Sequence, residues 1–146
     1  MNRSVIFLII GILVAFVSLT FLYNQKKSDE EMFESIERGQ VFYNSKCALC
    51  HQENGEGVPG LYPPLRENFC LLDKNKSIDI LLYGLSGTNI VNGLPYNEVM
   101  HPVMGTDQQL SDVLNFASQA FCNAKPIFTA DEVKRRRGRK PMQSNQ

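Results

Sequence analysis

Three residues with reactive or metal-binding side chains stand within five positions, in the segment Cys47-Ala48-Leu49-Cys50-His51. Thiolates and imidazole nitrogens are the usual ligands of zinc, paired thiols exchange disulfides, and the pattern C-x-x-C-H attaches haem. The residues around the motif indicate which of these three chemistries applies.

Zinc and thiol exchange fit the surrounding sequence poorly. A structural zinc site needs four ligands, usually two close pairs, but Cys70 and Cys122 are isolated in the sequence and His101 has no ligand beside it. A thiol oxidoreductase places C-x-x-C at a strand-to-helix junction, whereas here the motif follows a predicted helix and precedes a glycine-proline loop. A plain disulfide within the motif leaves the adjacent His51 unexplained.

Haem attachment accounts for all three residues. The two thiols add across the vinyl groups, the three-residue interval lets one helical turn reach both, and His51 points at the iron. A porphyrin is a large apolar plate, so a domain of about 110 residues gains from it burial that its own side chains could not supply. We therefore expect the haem to be part of the core.

Helices are predicted on both sides of the motif. Residues 28–31, Ser-Asp-Glu-Glu, fit a capping box, and an apolar face then ends just before Cys47: Met32, Ile36, Gly39 and Tyr43. Residues 55–64 contain three glycines and three prolines and cannot be helical. This composition predicts a loop whose backbone conformation is set by its glycines and prolines.

The remaining pattern predicts an all-α domain. Ser77 is the expected cap of a short helix, and residues 106–109 and 129–132 form two further capping boxes. The helix after Thr106 carries the clearest apolar stripe: Leu110, Val113, Leu114, Ala117 and Phe121. No alternating run of apolar and polar residues predicts a sheet.

An apolar segment precedes this domain. Val5 to Tyr23 is 19 residues without a charge, about the length that spans the hydrocarbon core as a helix. No small-x-small cleavage site follows it, so we expect an uncleaved single-pass anchor. The predicted division is 1–27 for the transmembrane helix and short linker, 28–133 for the domain, and 134–146 for a basic tail.

Charge is distributed unevenly along the chain. Residues 28–133 hold all 15 acidic residues and have a formal charge of −9, whereas the segment from Lys134 to Lys140 adds six positive charges. An acidic body argues against nucleic-acid binding, which needs a basic face. The basic segment is expected to be a solvated tail, with docking to a partner or to anionic lipid as the alternative.

Residues 39–135 resemble a class I c-type cytochrome of the small, membrane-anchored bacterial kind. The resemblance lies in Gly39-Gln40-Val41-Phe42-Tyr43 before Cys47-x-x-Cys50-His51, in Asn54-Gly55-Glu56-Gly57 to Tyr62-Pro63-Pro64-Leu65, in Tyr83-Gly84-Leu85-Ser86-Gly87 and in Asn92-Gly93-x-x-Tyr96-x-x-x-Met100. It implies the cytochrome c fold, in which helices wrap one covalent haem (heme c), preceded here by the transmembrane helix.

The resemblance also implies roles for single residues. Cys47 and Cys50 would form the thioethers, His51 would be the proximal iron ligand, and the Pro63 carbonyl would accept a hydrogen bond from the His51 ring. The first and last helices of the domain would cross where Gly39 and Tyr43 meet Val113 and Phe116.

The sixth iron ligand has three candidates in one loop. Met100 fits the family pattern and is expected to bind, but His101 stands where the family usually has proline, so Met104 and His101 remain alternatives. A thioether ligand favours Fe(II) and raises the reduction potential relative to a second histidine. Whether Cys70 and Cys122 form a disulfide stays open, because the sequence does not give the distance between them.

A closed iron site implies an electron carrier and not an enzyme. The resemblance places the haem domain in the periplasm on the inner (cytoplasmic) membrane, with redox proteins as partners: a membrane donor and an oxidase or reductase acceptor. The alternatives are a cytochrome c subunit of a larger membrane dehydrogenase, reductase or oxidase, and a sensor or peroxidase-like protein with a labile sixth ligand.

Overall fold

The computed structural model describes residues 2–66, 70, 73–124 and 128–139, and the chain divides into two units, residues 1–34 and 35–146. Helix α1, Arg3–Lys46, has residues in both. In the first unit its large apolar side chains from Phe7 to Tyr23 are exposed. By length and composition, with a mean hydropathy of 2.3 in its most apolar window, this helix can cross a membrane.

The capping box predicted at Ser28 is wrong as a helix start. Ser28 lies inside α1, where Lys27 and Glu31 form an ion pair one turn apart, with 3.8 Å between nitrogen and oxygen. Nothing from Asn24 to Lys27 breaks a helix, and extending an existing helix costs less than nucleating a new one. The residues expected to form a linker are therefore helical.

The second unit confirms the all-α class. Its further helices are α2 (Ala48–His51), α3 (Lys74–Tyr83), α4 (Asp107–Cys122) and α5 (Ala130–Arg137). The capping boxes predicted at Thr106 and Thr129 are both present. The predicted stripe of α4 is buried at Leu110, Val113, Leu114 and Ala117, where it packs against α1 and α3 residues such as Phe42, Tyr43, Ile78 and Leu81.

A small antiparallel hairpin corrects the prediction that no sheet forms. Strands β1 (Asn89–Val91) and β2 (Leu94–Tyr96) pair across a two-residue turn. Asn92 and Gly93 both have positive φ, 51° and 78°, which is the Asn-Gly preference of a tight hairpin turn. Three-residue strands are too short to show alternation, so the dipeptide was the usable signal.

Helix α3 begins earlier than predicted. Its N-cap is Asp73, whose carboxylate accepts from the backbone N–H of Asn75 and Lys76. Ser77, the predicted cap, lies inside the helix and its hydroxyl donates to the Asp73 carbonyl at 3.2 Å. Aspartate is as good an N-cap as serine, and this start leaves one more turn of α3 to cover the core.

Helices α1 and α4 cross at Gly39, as predicted. A Cβ at this position would lie 2.1 Å from the Asp112 carbonyl oxygen and 2.8 Å from the Phe116 Cβ. Only glycine lets the two backbones approach this closely. The Tyr43 ring packs on Phe116 with centroids 5.3 Å apart, and Val113 belongs to the same core cluster.

A buried polar network lies beside this crossing. The Asp112 carboxylate accepts hydrogen bonds from Ser35 at 2.6 Å, Arg38 at 2.8 Å and Gln108 at 2.8 Å. Asn115 donates to Ser35 and to the Phe128 carbonyl and accepts from the Phe128 N–H, each at 2.9 Å. We call Ser35, Gly39, Asp112 and Asn115 the helix junction. In the part of the chain described, no buried side-chain nitrogen or oxygen lacks a partner.

The basic segment is not simply a solvated tail, which corrects the expectation for Lys134 to Arg137. These residues belong to α5. Arg136 pairs with Asp79 of α3 and is only 12% exposed, and Arg137 pairs with Asp107 at 2.7 Å. The cations attach α5 to acids of the domain because the body has an excess of carboxylates. The predicted boundaries at 27 and 133 stay predictions.

Candidate functional site

The C-x-x-C-H motif occupies a single helical turn. Cys47 is the N-cap of α2, and its carbonyl accepts from the N–H of Cys50 at 3.1 Å and of His51 at 2.9 Å. Both cysteines are half-buried free thiols. Burial, and secondarily the neighbouring Cys50, raises the pKa of the Cys47 thiol to about 11. The structure therefore places two thiols and one imidazole on the same helical turn.

The His51 ring is oriented by a backbone carbonyl. Its Nδ1 lies 3.0 Å from the Pro63 oxygen, as predicted. A carbonyl can only accept, so Nδ1 carries the proton and Nε2 keeps a lone pair for a metal. Burial lowers the pKa of His51, with the Pro63 hydrogen bond acting in the opposite direction. The neutral, ligand-ready form of the ring is favoured.

The loop that carries Pro63 is folded back onto the motif. The Gly57 N–H donates to the His51 carbonyl at 2.9 Å, and the Leu65 N–H donates to the Gly55 carbonyl at 2.8 Å. A Cβ at Gly57, where φ is 67°, would lie 2.4 Å from the Tyr62 oxygen and 2.8 Å from the Pro63 oxygen. Glycine at 57 thus allows the carbonyl to reach the ring.

The chain leaves the motif through a strained residue. Gln52 has a φ of 62°, and its carbonyl accepts from the Tyr43 hydroxyl at 2.7 Å. Burial, first, and the nearby Cys47 thiol raise the pKa of Tyr43, so this hydroxyl stays a donor at neutral pH. Tyr43 therefore links the end of α1 to the start of the loop.

Met100 is held by a backbone bridge. Its N–H and carbonyl exchange hydrogen bonds with Leu85 at 2.9 and 2.8 Å. Gly84, at φ 79°, makes room, because a Cβ there would lie 2.4 Å from the Met100 oxygen. Met100 packs against the core, whereas the Met104 side chain is 84% exposed and His101 is also exposed.

Two adjoining cavities, of about 240 and 410 Å³, lie beside these residues. Met100 lines both cavities, while His101 and Met104 line only the larger. Most of the lining is apolar side chain. The residues shared by both are Cys47, His51, Pro63, Leu85, Asn89 and Met100.

A disulfide joins Cys70 to Cys122, the last residue of α4. Cys70 and Cys122, whose pairing the sequence left open, are bonded to each other. The neighbouring Phe121 ring lies under the loop, where a Cβ on Gly55 would be 2.9 Å from it. Phe121 also packs on Tyr43 and Phe116, with centroids 5.3 and 5.8 Å apart. The aromatic cluster therefore supports the loop at Gly55, and the disulfide lies next to it in sequence at Cys122.

Comparison with known proteins identifies this arrangement. The family described as Cytochrome c matches residues 36–120. Cytochrome c-552 of Thermus thermophilus is 40% identical over 107 residues, which cover 66% of this chain and 82% of that protein. The chain belongs to the cytochrome c family. As a member, this cytochrome is an electron carrier with covalent haem c, not an enzyme.

More distant relatives are cytochrome subunits whose own chains are much longer than the region matched here. The fructose dehydrogenase cytochrome subunit of Gluconobacter japonicus is 30% identical over 122 residues, 76% of this chain but 24% of the subunit. The alcohol dehydrogenase (quinone) cytochrome c subunit of Gluconacetobacter polyoxogenes is 28% identical over 112 residues, 73% of this chain and again 24% of the subunit.

The residues present fit a haem c. Apolar cavities, two thiols one helical turn apart, an oriented imidazole and a core-packed thioether form the donor set that such a group requires. The described residues contain no cluster of three His, Cys, Asp or Glu side chains that could hold a metal ion by itself. The motif predicted the donors but not their backbone supports, the Leu85 bridge and the close approaches at Gly57 and Gly84. The glycines at these two positions were the available sequence signal.

Proposed function

We propose that this cytochrome is a membrane-anchored, monohaem carrier of single electrons in a respiratory or periplasmic chain. Cys47 and Cys50 would hold the haem through thioethers, and His51 and Met100 would ligate its iron. The observation that carries the proposal is that Cys47, His51, Pro63 and Met100 line one cavity, with the imidazole already oriented.

The protein's contribution is to fix and shield the ligands. The Pro63 carbonyl holds the Nδ1 proton, which makes Nε2 a stronger donor. The Leu85 bridge fixes the backbone of Met100, whose soft thioether favours the ferrous state. Reversible storage of one electron is the chemistry that haem c supplies when bound. With His51 and Met100 both serving as iron ligands, the bound haem would offer no position for a substrate.

The sixth ligand is tested by spectroscopy of matched variants. The ferric wild-type protein should show the weak near-infrared band of methionine ligation. Met100→Ala should abolish this band, and Met104→Ala, which removes an exposed methionine of the same loop, should leave it unchanged. The reverse result would transfer the role to Met104, and a band absent from the wild type would point to His101.

The membrane location is supported by the exposed apolar helix. The proposed topology is a single pass through the inner membrane, with Arg3 in the cytoplasm and residues 35–146 in the periplasm, because c-type haem is attached there in the family. Anchoring keeps the carrier near membrane donors and acceptors. Protease added to intact spheroplasts should release the haem domain, and release only from inverted vesicles would refute this orientation.

A cytochrome subunit of a larger dehydrogenase, reductase or oxidase is the second candidate. It is favoured by the relatives in which this chain corresponds to 24% of a dehydrogenase subunit. Mild detergent extraction distinguishes the two functions. A carrier should run alone on size exclusion, while a subunit should co-elute with other chains at fixed stoichiometry. The acidic body should make either docking weaker at high salt.

A further inference from the structure

Two lysines line the haem cavities. Lys76, from the first turns of α3, lines the smaller cavity, and Lys46, at the end of α1, lines the larger. Neither ammonium group has an ion-pair partner among the residues that the structure describes. Other cations of the domain, such as Arg136 and Arg137, are paired with carboxylates. The two lysines therefore hold uncompensated positive charge at the edge of an apolar space.

Haem c brings the matching negative charge, since two propionate carboxylates lie on the porphyrin edge opposite the vinyl groups. Moving a carboxylate next to apolar side chains is costly unless a cation or hydrogen-bond donor meets it. Histidine aside, Lys76 is the one charged residue among those described that lines the smaller cavity, and Asn89 is a neutral donor common to both cavities.

The position of the cysteines separates the two lysines. Lys46 directly precedes Cys47 and lines the cavity that includes both Cys47 and Cys50, so it belongs to the edge where the vinyl groups are fastened. Lys76 lies on a different helix and lines a cavity of which Cys50 is not part. It shares that wall with Ser77 and Ile80.

We propose that Lys76 is a haem-binding residue that pairs with a propionate carboxylate. This inference rests on the proposed haem site and extends it to the edge of the cofactor away from the cysteines. Losing the ammonium would leave the propionate charge unopposed. An unopposed negative charge near the iron stabilises the ferric state, so the equilibrium constant for reduction must fall.

The test is redox titration of the full-length, haem-loaded protein in detergent at pH 8. Lys76→Gln should lower the equilibrium constant for reduction about threefold to tenfold, a size expected for one charge at the edge of the cofactor. Lys76→Arg should restore it to within about twofold. The matched control Lys46→Gln, which removes a cation from the other cavity, should change it by less than about twofold.

A pH series separates pairing with a propionate from mere proximity of charge. Without Lys76 the propionate should take up a proton on reduction between about pH 5 and 8, so the potential of Lys76→Gln should fall more steeply with rising pH. The other titratable groups that line the cavities, apart from the two cysteines, are unchanged between the two proteins: Tyr43, Lys46, His51, Tyr62, Tyr96, Glu98 and His101.

The outcomes distinguish failure of the Lys76 assignment from failure of the proposed function. A Lys76→Gln protein that carries covalent haem and reduces with the wild-type equilibrium constant and pH dependence overturns the Lys76 assignment alone. An equal or larger effect of Lys46→Gln also overturns it. Wild-type protein without covalent haem overturns both this assignment and the proposed function.

Discussion

The helix junction and the haem-facing loops, residues 47–65 and 84–104, are built in opposite ways. At the junction every buried side-chain nitrogen and oxygen has a hydrogen-bond partner within the chain, and the α1 and α4 backbones touch at Gly39. The loops instead border cavities of about 240 and 410 Å³, and their fixed points are backbone hydrogen bonds around His51 and Met100. One side of the core is complete, and the other leaves apolar space that the proposed haem would fill.

This difference explains how a small domain is both stable and redox-active. Protein interiors are close-packed, and leaving apolar space of this size unfilled reduces the stability of the fold. A porphyrin removes that cost and gains its own burial at once. The contacts of the junction are made between groups of the chain itself, whereas the loops border the space proposed for the cofactor.

The largest effect should come from Asp112→Ala at the junction. It removes the acceptor of Ser35, Arg38 and Gln108. Loss of the acceptor of the buried Ser35 hydroxyl and of the charged hydrogen bond from the half-exposed Arg38 should lower the free energy of unfolding by about 3 kcal/mol. Urea unfolding of the haem-loaded protein, followed by its Soret absorbance, measures this. Glu37→Ala, at an exposed position of α1, should change it by less than about 0.5 kcal/mol. Equal effects would mean that the junction is not a separately stabilised region.

A smaller effect is expected from Gly39→Ala. The added Cβ would lie 2.1 Å from a backbone oxygen of α4, so the helices must separate, at about 2 kcal/mol. Gly138→Ala, where no atom lies within 4 Å of the new Cβ, is the matched control and should be nearly neutral. If Gly39→Ala unfolds at the same urea concentration as the wild type, the helices can accommodate the added Cβ and the crossing does not require glycine.

The smallest effect concerns α5 and depends on pH. Partial burial raises the pKa of the Glu132 carboxyl, but hydrogen bonds from Lys74 and Thr129 outweigh it, so the net pKa lies below 4.5. A carboxylate with a lowered pKa stabilises the fold above its unfolded pKa, and this stability is lost as the pH falls through the folded value. Glu132→Gln should cost about 1 kcal/mol at pH 7.

The same comparison has an internal control. As the pH falls through the lowered pKa of Glu132, the difference between wild type and Glu132→Gln should disappear, because both side chains are then neutral. Asp131→Asn, exposed in the same first turn, should show a smaller difference at pH 7. A Glu132→Gln cost that persists unchanged at pH 3 would rule out the charged capping box as its cause.

The two regions also differed in how well the sequence predicted them. The haem-facing side was readable because its donors follow a dense local pattern, from Cys47 to Pro63 and then Met100, and the hydrogen bond between His51 and Pro63 is present. The roles of these residues as thioethers and iron ligands stay predictions. The hairpin was not predicted because the dipeptide Asn92-Gly93 is its only sequence signal.

The junction was only partly predicted. Gly39 and Phe116 were expected to meet, but Asp112 reads as a surface residue of an amphipathic helix. Its partners Ser35 and Arg38 lie 77 and 74 residues away in the sequence, and no local pattern reveals such a pair. The bond between Cys70 and Cys122 likewise depends on a distance that only the folded chain defines.

The most direct test is the intact mass of the denatured full-length protein, produced in cells competent for cytochrome maturation. We expect the wild-type chain to carry the mass of one haem that acidified acetone does not extract, and the Cys47→Ser/Cys50→Ser variant to carry none. A colourless wild-type protein, a pigment extracted by acid, or haem still bonded to the double variant would contradict covalent attachment at these two cysteines.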